Sequence, residues 1–356
     1  MRASPTTPYL AVDGARLDAN VRRVQAAADR AGVRLRPHVK THKVPAIARR
    51  QLDAGAVGIT VATVGEAEVF VDQGCTDVLV AYPVFLDAER VRRVLALADR
   101  ARVVIGVDSV DGARRAAPLT GAVGVAVEVD SGHHRSGIAP AQAGAVALAA
   151  ADLGVAVEGV FTFPGHAYAP GAAPEVAAQE AAALHEAATV VVAAGIPCPV
   201  RSGGSTPSLA ASLDSGAARP GGTPAADELR PGVYVFGDAQ QWELGHHAAE
   251  DIALVAVGTV VSHAGGRAVL DAGSKTLGAD RAAYATGFGR LLDHPEARIV
   301  QLSEHHAVVD LAGASLPAVG ERVRVVPNHV CAAVNLADEL VVDGERVPVA
   351  ARGRNT

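Results

Sequence analysis

The sequence predicts an α/β protein, a (β/α)8 barrel followed by a separate β domain. Three observations lead to this prediction. In the first two thirds of the 356 residues, apolar runs of strand length alternate with helical stretches, which is the pattern of βαβ units. Apolar residues make up 49% of the chain and aromatic residues only 3%, which suits buried strands covered by alanine-rich helices. After about residue 240, helical periodicity fades and short valine-rich runs are joined by turn signals. A doubly wound open sheet is the alternative for the first region.

A helix over residues 15–31 comes first. Its apolar residues recur at intervals of three or four positions, at Leu17, Val21, Val24 and Ala28. Gly32 then supplies the stop expected at a helix C-terminus. Residues 33–39 follow as a short strand, with Pro37 near its end, where a missing N–H is best tolerated. Lys40 is therefore expected at the carboxyl end of the first barrel strand.

Seven further strands and the helices between them repeat this alternation. The strands are expected over residues 57–62, 78–81, 103–107, 123–129, 155–161, 199–202 and 230–235. Helices are expected over residues 65–73, 88–98, 141–151 and 175–194. The barrel domain is expected to span residues 13–240 and the β domain residues 241–356, which residues 1–12 would join. The Gly-, Pro- and Ala-rich residues 214–227 are expected to form a mobile loop.

The net charge of −6, with acidic and basic residues interspersed, provides no electrostatic footprint for nucleic acid or an anionic membrane surface. A small-molecule partner is expected instead. No window approaches the roughly 20 apolar residues of a membrane span, and the first residues carry no charged segment followed by a long apolar run, so a cytoplasmic protein is expected. The cysteines Cys75, Cys198 and Cys331 are odd in number and widely spaced, so free thiols are expected, one of them a candidate metal ligand.

Lysine is rare in this chain. Only Lys40, Lys43 and Lys275 stand against 29 arginines among the 32 basic residues, and two of the three lysines share residues 36–43. A sequence so biased toward arginine is expected to keep lysine where arginine cannot substitute, and Schiff-base chemistry is the clearest case. The alternative is that these lysines are ordinary solvated charges.

Polar motifs that follow the predicted strands are candidates for one shared site, because strand carboxyl ends converge on one face of a barrel. They are Lys40 and residues 130–137, 164–168, 202–207 and 230–234. In the fourth motif, adjacent glycines let backbone N–H groups converge and hydroxyls add donors, as a phosphate requires. A reactive lysine together with a phosphate cradle indicates pyridoxal phosphate. A tight turn with a helix-capping Ser or Thr has the same composition and is the alternative.

A second candidate site lies in the predicted β domain. His329 and Cys331 follow the apolar run 323–326, and residues two apart on a strand point to the same side. Imidazole and thiolate together suit zinc, and two protein ligands leave positions open for water or substrate. A buried histidine beside an inert cysteine is the alternative. His305 and His306 are either further ligands or polar residues near a hairpin.

Eight motifs carry a family resemblance that covers nearly the whole chain. They are RPHVKTHK (36–43), ATVGEAE (62–68), VDSGHHRSG (129–137), GHAY (165–168), SGGSTP (202–207), ELRPGVYVFGD (228–238), DAGSKTL (271–277) and PNHVCAAVNL (327–336). Together they resemble the fold-type III pyridoxal phosphate enzymes, specifically the group of D-threonine aldolase and eukaryotic-type D-serine dehydratase. One departure is Glu304-His305-His306, where the family often has two consecutive acids before the histidine.

The resemblance implies roles for the strand-end residues. Lys40 would carry the cofactor as an internal aldimine, and Lys43 would act electrostatically. Arg135 would approach the phenolic oxygen of the cofactor, and Arg230 would lie near the pyridine nitrogen and keep it unprotonated. Tyr168 would line the pocket. The other expected cofactor-binding residues are the phosphate donors Gly203, Gly204 and Gly232, together with Ser205 and Tyr234.

The resemblance also implies a reaction. The metal pair of the family maps onto His329 and Cys331, and cysteine at the second position is typical of zinc-dependent dehydratases, whereas aldolases carry aspartate there; magnesium or manganese would also suit such a site. The expected reaction is dehydration of D-serine or 3-hydroxy-D-aspartate to a 2-oxo acid and ammonia, with Lys40 removing the Cα proton. Retro-aldol cleavage to glycine and an aldehyde is the alternative. Weaker alternatives are an amino acid racemase and a non-catalytic pyridoxal phosphate-binding protein. A homodimer is implied as well.

Overall fold

The computed structural model describes residues 5–214 and 226–356. The chain divides into two compact units, each built from separate segments. Unit 1 comprises Met1–Arg22, Thr41–Val44 and Val233–Gly353, and unit 2 comprises Arg23–Lys40, Pro45–Gly232 and Arg354–Thr356. Most of the loop expected at 214–227 lies outside the described residues. The domain boundary expected at residue 240 stays a prediction.

The described residues form short strands and mostly amphipathic or alanine-rich helices. The strands are β1 (Tyr9–Val12), β2 (Arg34–Leu35), β3 (Ile59–Val61), β4 (Asp77–Pro83), β5 (Arg102–Val107), β6 (Gly124–Glu128), β7 (Ala156–Phe161), β8 (Arg201–Gly203), β9 (Glu228–Leu229), β10 (Leu254–Ser262), β11 (Ala268–Leu270), β12 (Gly289–Leu291), β13 (Arg298–Leu302), β14 (Ala307–Asp310), β15 (Arg322–Pro327), β16 (Glu339–Val342) and β17 (Glu345–Pro348). The helices are α1 (Gly14–Ala31), α2 (Pro45–Asp53), α3 (Val64–Asp72), α4 (Ala88–Ala98), α5 (Val110–Arg115), α6 (Ala143–Ala151), α7 (Ala173–Ala193), α8 (Leu209–Asp214), α9 (Ala239–Glu243), α10 (Ser274–Leu277) and α11 (Val330–Leu336).

Unit 2 contains eight parallel strands in the order β2-β9-β8-β7-β6-β5-β4-β3, so consecutive strands are neighbours. A parallel bridge between His38 and Thr60 links the segment after β2 to β3 and joins the two ends of the sheet. The predicted (β/α)8 barrel, with helices between its strands, is confirmed. Its interior includes a cluster formed by Leu79, Val104, Ala126 and Phe161.

Local sequence explains where helices of this chain begin and end. Helix α3 begins after Thr63, whose side chain accepts the N–H of Glu66 at 3.0 Å, while the Glu66 carboxylate accepts the N–H of Ala62 at 2.7 Å. Helix α1 is followed by Gly32 at φ +66°, the left-handed conformation expected after a helix.

The last barrel strand is an exception to the prediction, because it occupies Glu228–Leu229 rather than 230–235. Pro231 has no N–H to donate to a ladder, and a 3-10 turn follows at Val233–Val235.

Unit 1 is a mainly antiparallel nine-stranded sheet in the order β11-β14-β13-β12-β15-β10-β1-β16-β17. Strand β10 also pairs with β11, which closes six of these strands into a ring. Strand β1 pairs antiparallel with β10 and parallel with β16. The turn between β16 and β17 has Asp343 and Gly344 at positive φ, as its Asp-Gly sequence predicts.

All three cysteines are free, with Cys75 buried and Cys198 and Cys331 half-buried. Within residues 5–214 and 226–356, no helix is both long and apolar enough to cross a membrane.

Candidate active site

A cavity of about 440 Å³ lies among the carboxyl ends of the unit 2 strands. Its lining combines cationic, aromatic and small side chains: His38, Lys40, Ala62, Ala81, Tyr82, Pro83, Asp108, Arg135, Ser136, Phe163 and Arg230. Three of the residues predicted from sequence, Lys40, Arg135 and Arg230, therefore line one cavity. The cavity is large enough for a small cofactor together with a substrate.

Lys40 lies in the 3-10 turn Val39–Thr41, which follows β2. Its Nζ lies 5.6 Å from the centre of the Phe163 ring, and the guanidinium carbon of Arg135 lies 4.9 Å from the same ring. Both cations therefore lie within cation–π distance of the same ring. This arrangement places a primary amine and a guanidinium on one side of the cavity.

His38 is a buried residue of the cavity that the motif analysis did not assign. Its pKa is held well below the usual value by burial first, and then by the charges of Lys40, Arg230 and Arg135. The imidazole is therefore neutral at physiological pH. Its Nδ1 has no hydrogen-bond partner among the described residues. A buried polar atom of this kind beside three cations suits an anionic or hydrogen-bonding ligand in the cavity.

Arg230 is held on one edge of its guanidinium by the barrel. Its Nε donates to Ser202 Oγ at 2.9 Å, and its Nη2 donates to the carbonyl oxygen of Thr162. The guanidinium also lies 5.2 Å from the centre of the Phe161 ring. Burial lowers the pKa of Arg230, and the charge of Glu228 opposes that effect most strongly.

The predicted phosphate loop follows β8 and is largely satisfied by protein groups. The N–H of Gly204 donates to the carboxylate of Glu180 on α7. The hydroxyls of Ser205 and Ser208 are hydrogen-bonded at 2.9 Å. The Thr206 hydroxyl, by contrast, is buried and has no partner among the described residues, which leaves it available to a phosphate oxygen. The phosphate roles of Gly203, Gly204 and Ser205 remain predictions.

The other predicted cofactor residues are close in sequence to residues that line the cavity. Within the described part of the chain, they are not themselves lining residues. Tyr168 is half-buried at the end of the 3-10 turn Gly165–Ala167. Gly232 follows Pro231, whose carbonyl accepts the N–H of His38 at 3.0 Å. Tyr234 is buried in a 3-10 turn of unit 1, and its carbonyl oxygen lies 3.4 Å from His247 Nε2. Their contacts with a cofactor also remain predictions.

Lys43 belongs to unit 1 and is buried, with Nζ donating to Asn335 Oδ1 at 2.7 Å. Its backbone has φ +54°, in the left-handed region that non-glycine residues rarely adopt. The side chain thus links the turn after Lys40 to helix α11. This contact gives Lys43 a structural role in unit 1, in addition to the electrostatic role expected from the resemblance.

The candidate metal pair has a different geometry from the predicted one. Strand β15 ends at Pro327, so His329 and Cys331 do not share a strand. His329 is instead the N-cap residue of α11, with φ −127° and ψ 107°, and Cys331 lies in the first turn of that helix. The prediction of strand spacing was wrong because the alanine-containing segment after Asn328 folds as a helix. The two side chains are nevertheless within hydrogen-bonding reach of each other.

Asp238, which the sequence analysis did not assign, organises this pair. Its carboxylate is fully buried and lies 3.4 Å from His329 Nδ1, and it accepts the N–H groups of Gln241 at 2.8 Å and Val330 at 3.2 Å. The pKa of His329 is raised well above its usual value, first by the charge of Cys331 and further by Asp238, against the effect of burial. Cys331 Sγ also lies 3.4 Å from Thr41 Oγ1.

The donor set fits a metal held by two protein ligands. Among the described residues, no group of three or more His, Cys, Asp and Glu side chains is placed to hold a metal ion. A carboxylate on Nδ1 of a histidine leaves Nε2 for a metal, which is the usual outer-shell arrangement of such ligands. The hairpin between β13 and β14 contains the exposed His305 and His306, which are polar turn residues.

A signal for the missed residues was present in the sequence. His38 and Asp238 both lie inside motifs that carry the family resemblance, and His38 is two residues before Lys40. Glu180 had no such signal, because it is one of several glutamates on the long helix α7. Only its burial and its contact with Gly204 distinguish it.

Comparison with known proteins places this architecture among enzymes. Residues 12–240 match the family described as alanine racemase, N-terminal domain, and residues 253–342 match a serine dehydratase domain. D-threo-3-hydroxyaspartate dehydratase of Delftia sp. (strain HT23) is 36% identical over 92% of this chain and 91% of its own. D-threonine aldolase of Arthrobacter sp. is 34% identical over 94% of this chain and 88% of its own.

The solved structures agree with these relatives. The Delftia dehydratase superposes with a TM-score of 0.86 at 34% identity, covering 98% of each chain. D-threonine aldolase from Filomicrobium marinum also has a TM-score of 0.86, at 30% identity, covering 99% of each chain. Two further structures of the dehydratase are described as a cysteine-to-alanine mutant in the metal-free form and a histidine-to-alanine mutant, and the two mutated positions are two residues apart.

Proposed function

Because this chain belongs to the family that joins an alanine racemase-like N-terminal domain to a serine dehydratase domain, we propose that it is a pyridoxal phosphate-dependent lyase that dehydrates D-β-hydroxy-α-amino acids. The single observation that carries the proposal is the cavity in which Lys40 lies beside Arg135 and Arg230. The expected substrates are 3-hydroxy-D-aspartate and D-serine, and the products are a 2-oxo acid and ammonia.

The residues of the cavity, together with the loop that follows β8, fit pyridoxal phosphate. Lys40 would hold its carbonyl carbon, Arg135 its phenolic oxygen, and Thr206 with the 203–205 loop its phosphate. Bound in this way, the cofactor supplies an electron sink for the bonds at the substrate Cα. With the cofactor bound, the amine of Lys40 would be the base that takes the proton from the substrate Cα.

The neighbours of Lys40 support this proton transfer. The guanidinium groups of Arg135 and Arg230 line the same cavity as the Lys40 amine. Neutral His38 adds no further charge, and its Nδ1 has no hydrogen-bond partner among the described residues. A guanidinium beside the ring nitrogen would donate a hydrogen bond to it and disfavour its protonation, so the cofactor would supply a weaker electron sink.

We propose that His329 and Cys331 hold a divalent metal, zinc being favoured by the thiolate. Such a metal is a Lewis acid that makes a β-hydroxyl a better leaving group. The assignment is supported by the mutated histidine and cysteine of the dehydratase, which are also two residues apart; the structure of the cysteine mutant is described as metal-free. A homodimer, which rests on the family resemblance, and a cytoplasmic location, which rests on the sequence pattern, are also part of the proposal.

Product analysis tests the proposal. The purified protein, loaded with pyridoxal phosphate and zinc, is incubated with D-serine, D-threonine and 3-hydroxy-D-aspartate, and 2-oxo acid, ammonia and glycine are assayed in parallel. Ammonia with a 2-oxo acid is the expected result. Glycine with an aldehyde would instead assign the retro-aldol activity that the aldolase relatives carry by name.

A further inference from the structure

Arg230 is the end of a buried chain of polar side chains that extends through the barrel. Ser202 on β8 and Glu228 on β9 are direct partners in the parallel register, and their side chains are joined by a hydrogen bond of 2.8 Å from Ser202 Oγ to Glu228 Oε1. Ser202 Oγ in turn accepts Nε–H of Arg230 at 2.9 Å. Each of these three residues is no more than 5% exposed, so water does not compete for the bonds.

The direction of each hydrogen bond between these side chains follows from which groups can donate and which can only accept. An ionised carboxylate only accepts, a guanidinium only donates, and a serine hydroxyl has one proton. Ser202 must therefore give its proton to Glu228 and turn a lone pair toward Arg230. With Nε committed to Ser202 and Nη2 to Thr162, the remaining N–H groups of Arg230 are directed by the geometry of the planar guanidinium.

Glu228 is held in place from its other side. Its Oε2 accepts Nε–H of Arg36 at 2.8 Å, and Nη1 of Arg36 donates to Asp77 at 2.6 Å. Arg36 follows β2, which pairs with β9 on the side opposite β8. The charges therefore alternate along the chain of residues, from Asp77 to Arg36 to Glu228 to Arg230. The charge of Glu228 is also the strongest influence that opposes the effect of burial on Arg230.

We propose that Glu228, acting through the hydroxyl of Ser202, is a positioning residue that orients Arg230 toward the ring nitrogen of the cofactor. This inference rests on the proposed function, because it assumes that the cofactor occupies the cavity beside Lys40. Glu228 and Ser202 touch no reacting atom. They act by holding the guanidinium at one angle and by keeping its charge beside the ring.

Ser202→Ala tests the inference in the holoenzyme. It removes the acceptor of Arg230 Nε and leaves the Glu228–Arg36 pair intact. Because a displaced guanidinium no longer opposes protonation of the ring, the pH at which the absorbance of the lysine-bound cofactor changes should rise by about one unit or more. We also expect kcat to fall about tenfold, with KM changed far less, since a hydrogen bond to a charged group is lost.

Two further variants make the test decisive. Glu228→Gln retains the shape of the side chain and removes its charge, so it should shift the absorbance titration in the same direction. If Ser202→Ala fails to fold, the titration of Glu228→Gln tests the positioning role. Ser212→Ala is the matched control, a buried serine whose hydroxyl binds Glu180 on α7, and its titration should equal that of the wild type.

Each outcome has a distinct meaning. Cofactor bound at Lys40, shown by borohydride reduction and mass spectrometry, with an unshifted titration in both test variants would overturn the inference and leave the proposed function standing. A wild-type protein that takes up no cofactor at Lys40 would contradict the proposed function itself. A shift in the test variants but not in the control supports the positioning role.

Discussion

The carboxylate of Asp238 lies 3.4 Å from Nδ1 of His329 and accepts the N–H of Val330, so one buried group both orients the histidine and caps the helix that carries Cys331. An outer-shell carboxylate fixes which ring nitrogen faces a metal and raises the basicity of that nitrogen. The metal site proposed for His329 and Cys331 therefore depends on a third residue that does not itself bind the ion.

Replacing Asp238 should weaken metal binding without removing the ligands. Asp238→Asn retains an oxygen for the N–H of Gln241 but loses the charge beside His329. We expect zinc affinity to fall about 10- to 100-fold, measured by competition with a chromogenic chelator. Asp343→Asn, at an exposed turn where the side chain accepts the N–H of Gly14, is the control and should bind zinc as the wild type does. Equal affinities for wild type and Asp238→Asn would remove Asp238 from the site.

Lys40 is expected to be indispensable for cofactor attachment. Lys40→Ala should abolish the absorbance of the lysine-bound cofactor and lower turnover by on the order of 10³-fold or more, because both the covalent attachment and the base are lost. Absorbance spectroscopy and a 2-oxo acid assay measure the two effects. Lys275→Ala removes an exposed lysine paired with Glu304 at 2.9 Å and should leave the absorbance unchanged. Retention of both absorbance and turnover in Lys40→Ala would contradict the assignment.

The identity of the residue at 331 is expected to influence the reaction. Cys331→Ala should retain the cofactor absorbance but lose the activity that zinc restores after chelation. Cys331→Asp replaces a soft sulfur ligand with a hard oxygen, so we expect metal preference to move from zinc toward magnesium or manganese. The measurement is activity of the chelator-treated protein after each metal is added, with glycine and 2-oxo acid assayed together. Unchanged activity of the wild type after chelation would contradict the metal role.

Glu180 should make stability depend on pH. Burial raises its pKa from 4.5 to about 7, against the opposing effect of the Gly204 N–H, so between these values the folded state retains a proton that the unfolded state has lost. Stability is then greatest below pH 4.5 as far as this group is concerned, and it falls as pH rises to 7.

Glu180→Gln removes that dependence while its amide can still bind Gly204 and Ser212. The free energy of unfolding at pH 8 should rise by up to about 3 kcal/mol relative to wild type, and the decline between pH 4.5 and 7 should flatten. Urea unfolding at several pH values measures both. Glu175→Gln, an exposed position one turn earlier in the same helix region, should follow the wild-type profile. A Glu180→Gln profile parallel to wild type would show that the carboxylate is already ionised at low pH.

Much of the fold was predictable because its signals are local. The spacing of apolar residues located α4 at Ala88–Ala98 and ended α1 before Gly32. The scarcity of lysine pointed to Lys40, and the motifs after strands pointed to Arg135 and Arg230, all three of which line one cavity. The last barrel strand was misplaced because apolar residues continue through Val235, whereas the backbone turns at Pro231 and Gly232.

The sequence by itself determined the alternation of strands and helices in the barrel, since that signal comes from residues that are close along the chain, and the scarcity of lysine pointed to Lys40. Only the tertiary structure decided which groups meet. Asp238 and Val330 are 92 positions apart and Glu180 and Gly204 are 24 apart, yet each pair is joined by a buried hydrogen bond. A buried donor requires an acceptor wherever folding brings one, and no local pattern records that partner in advance.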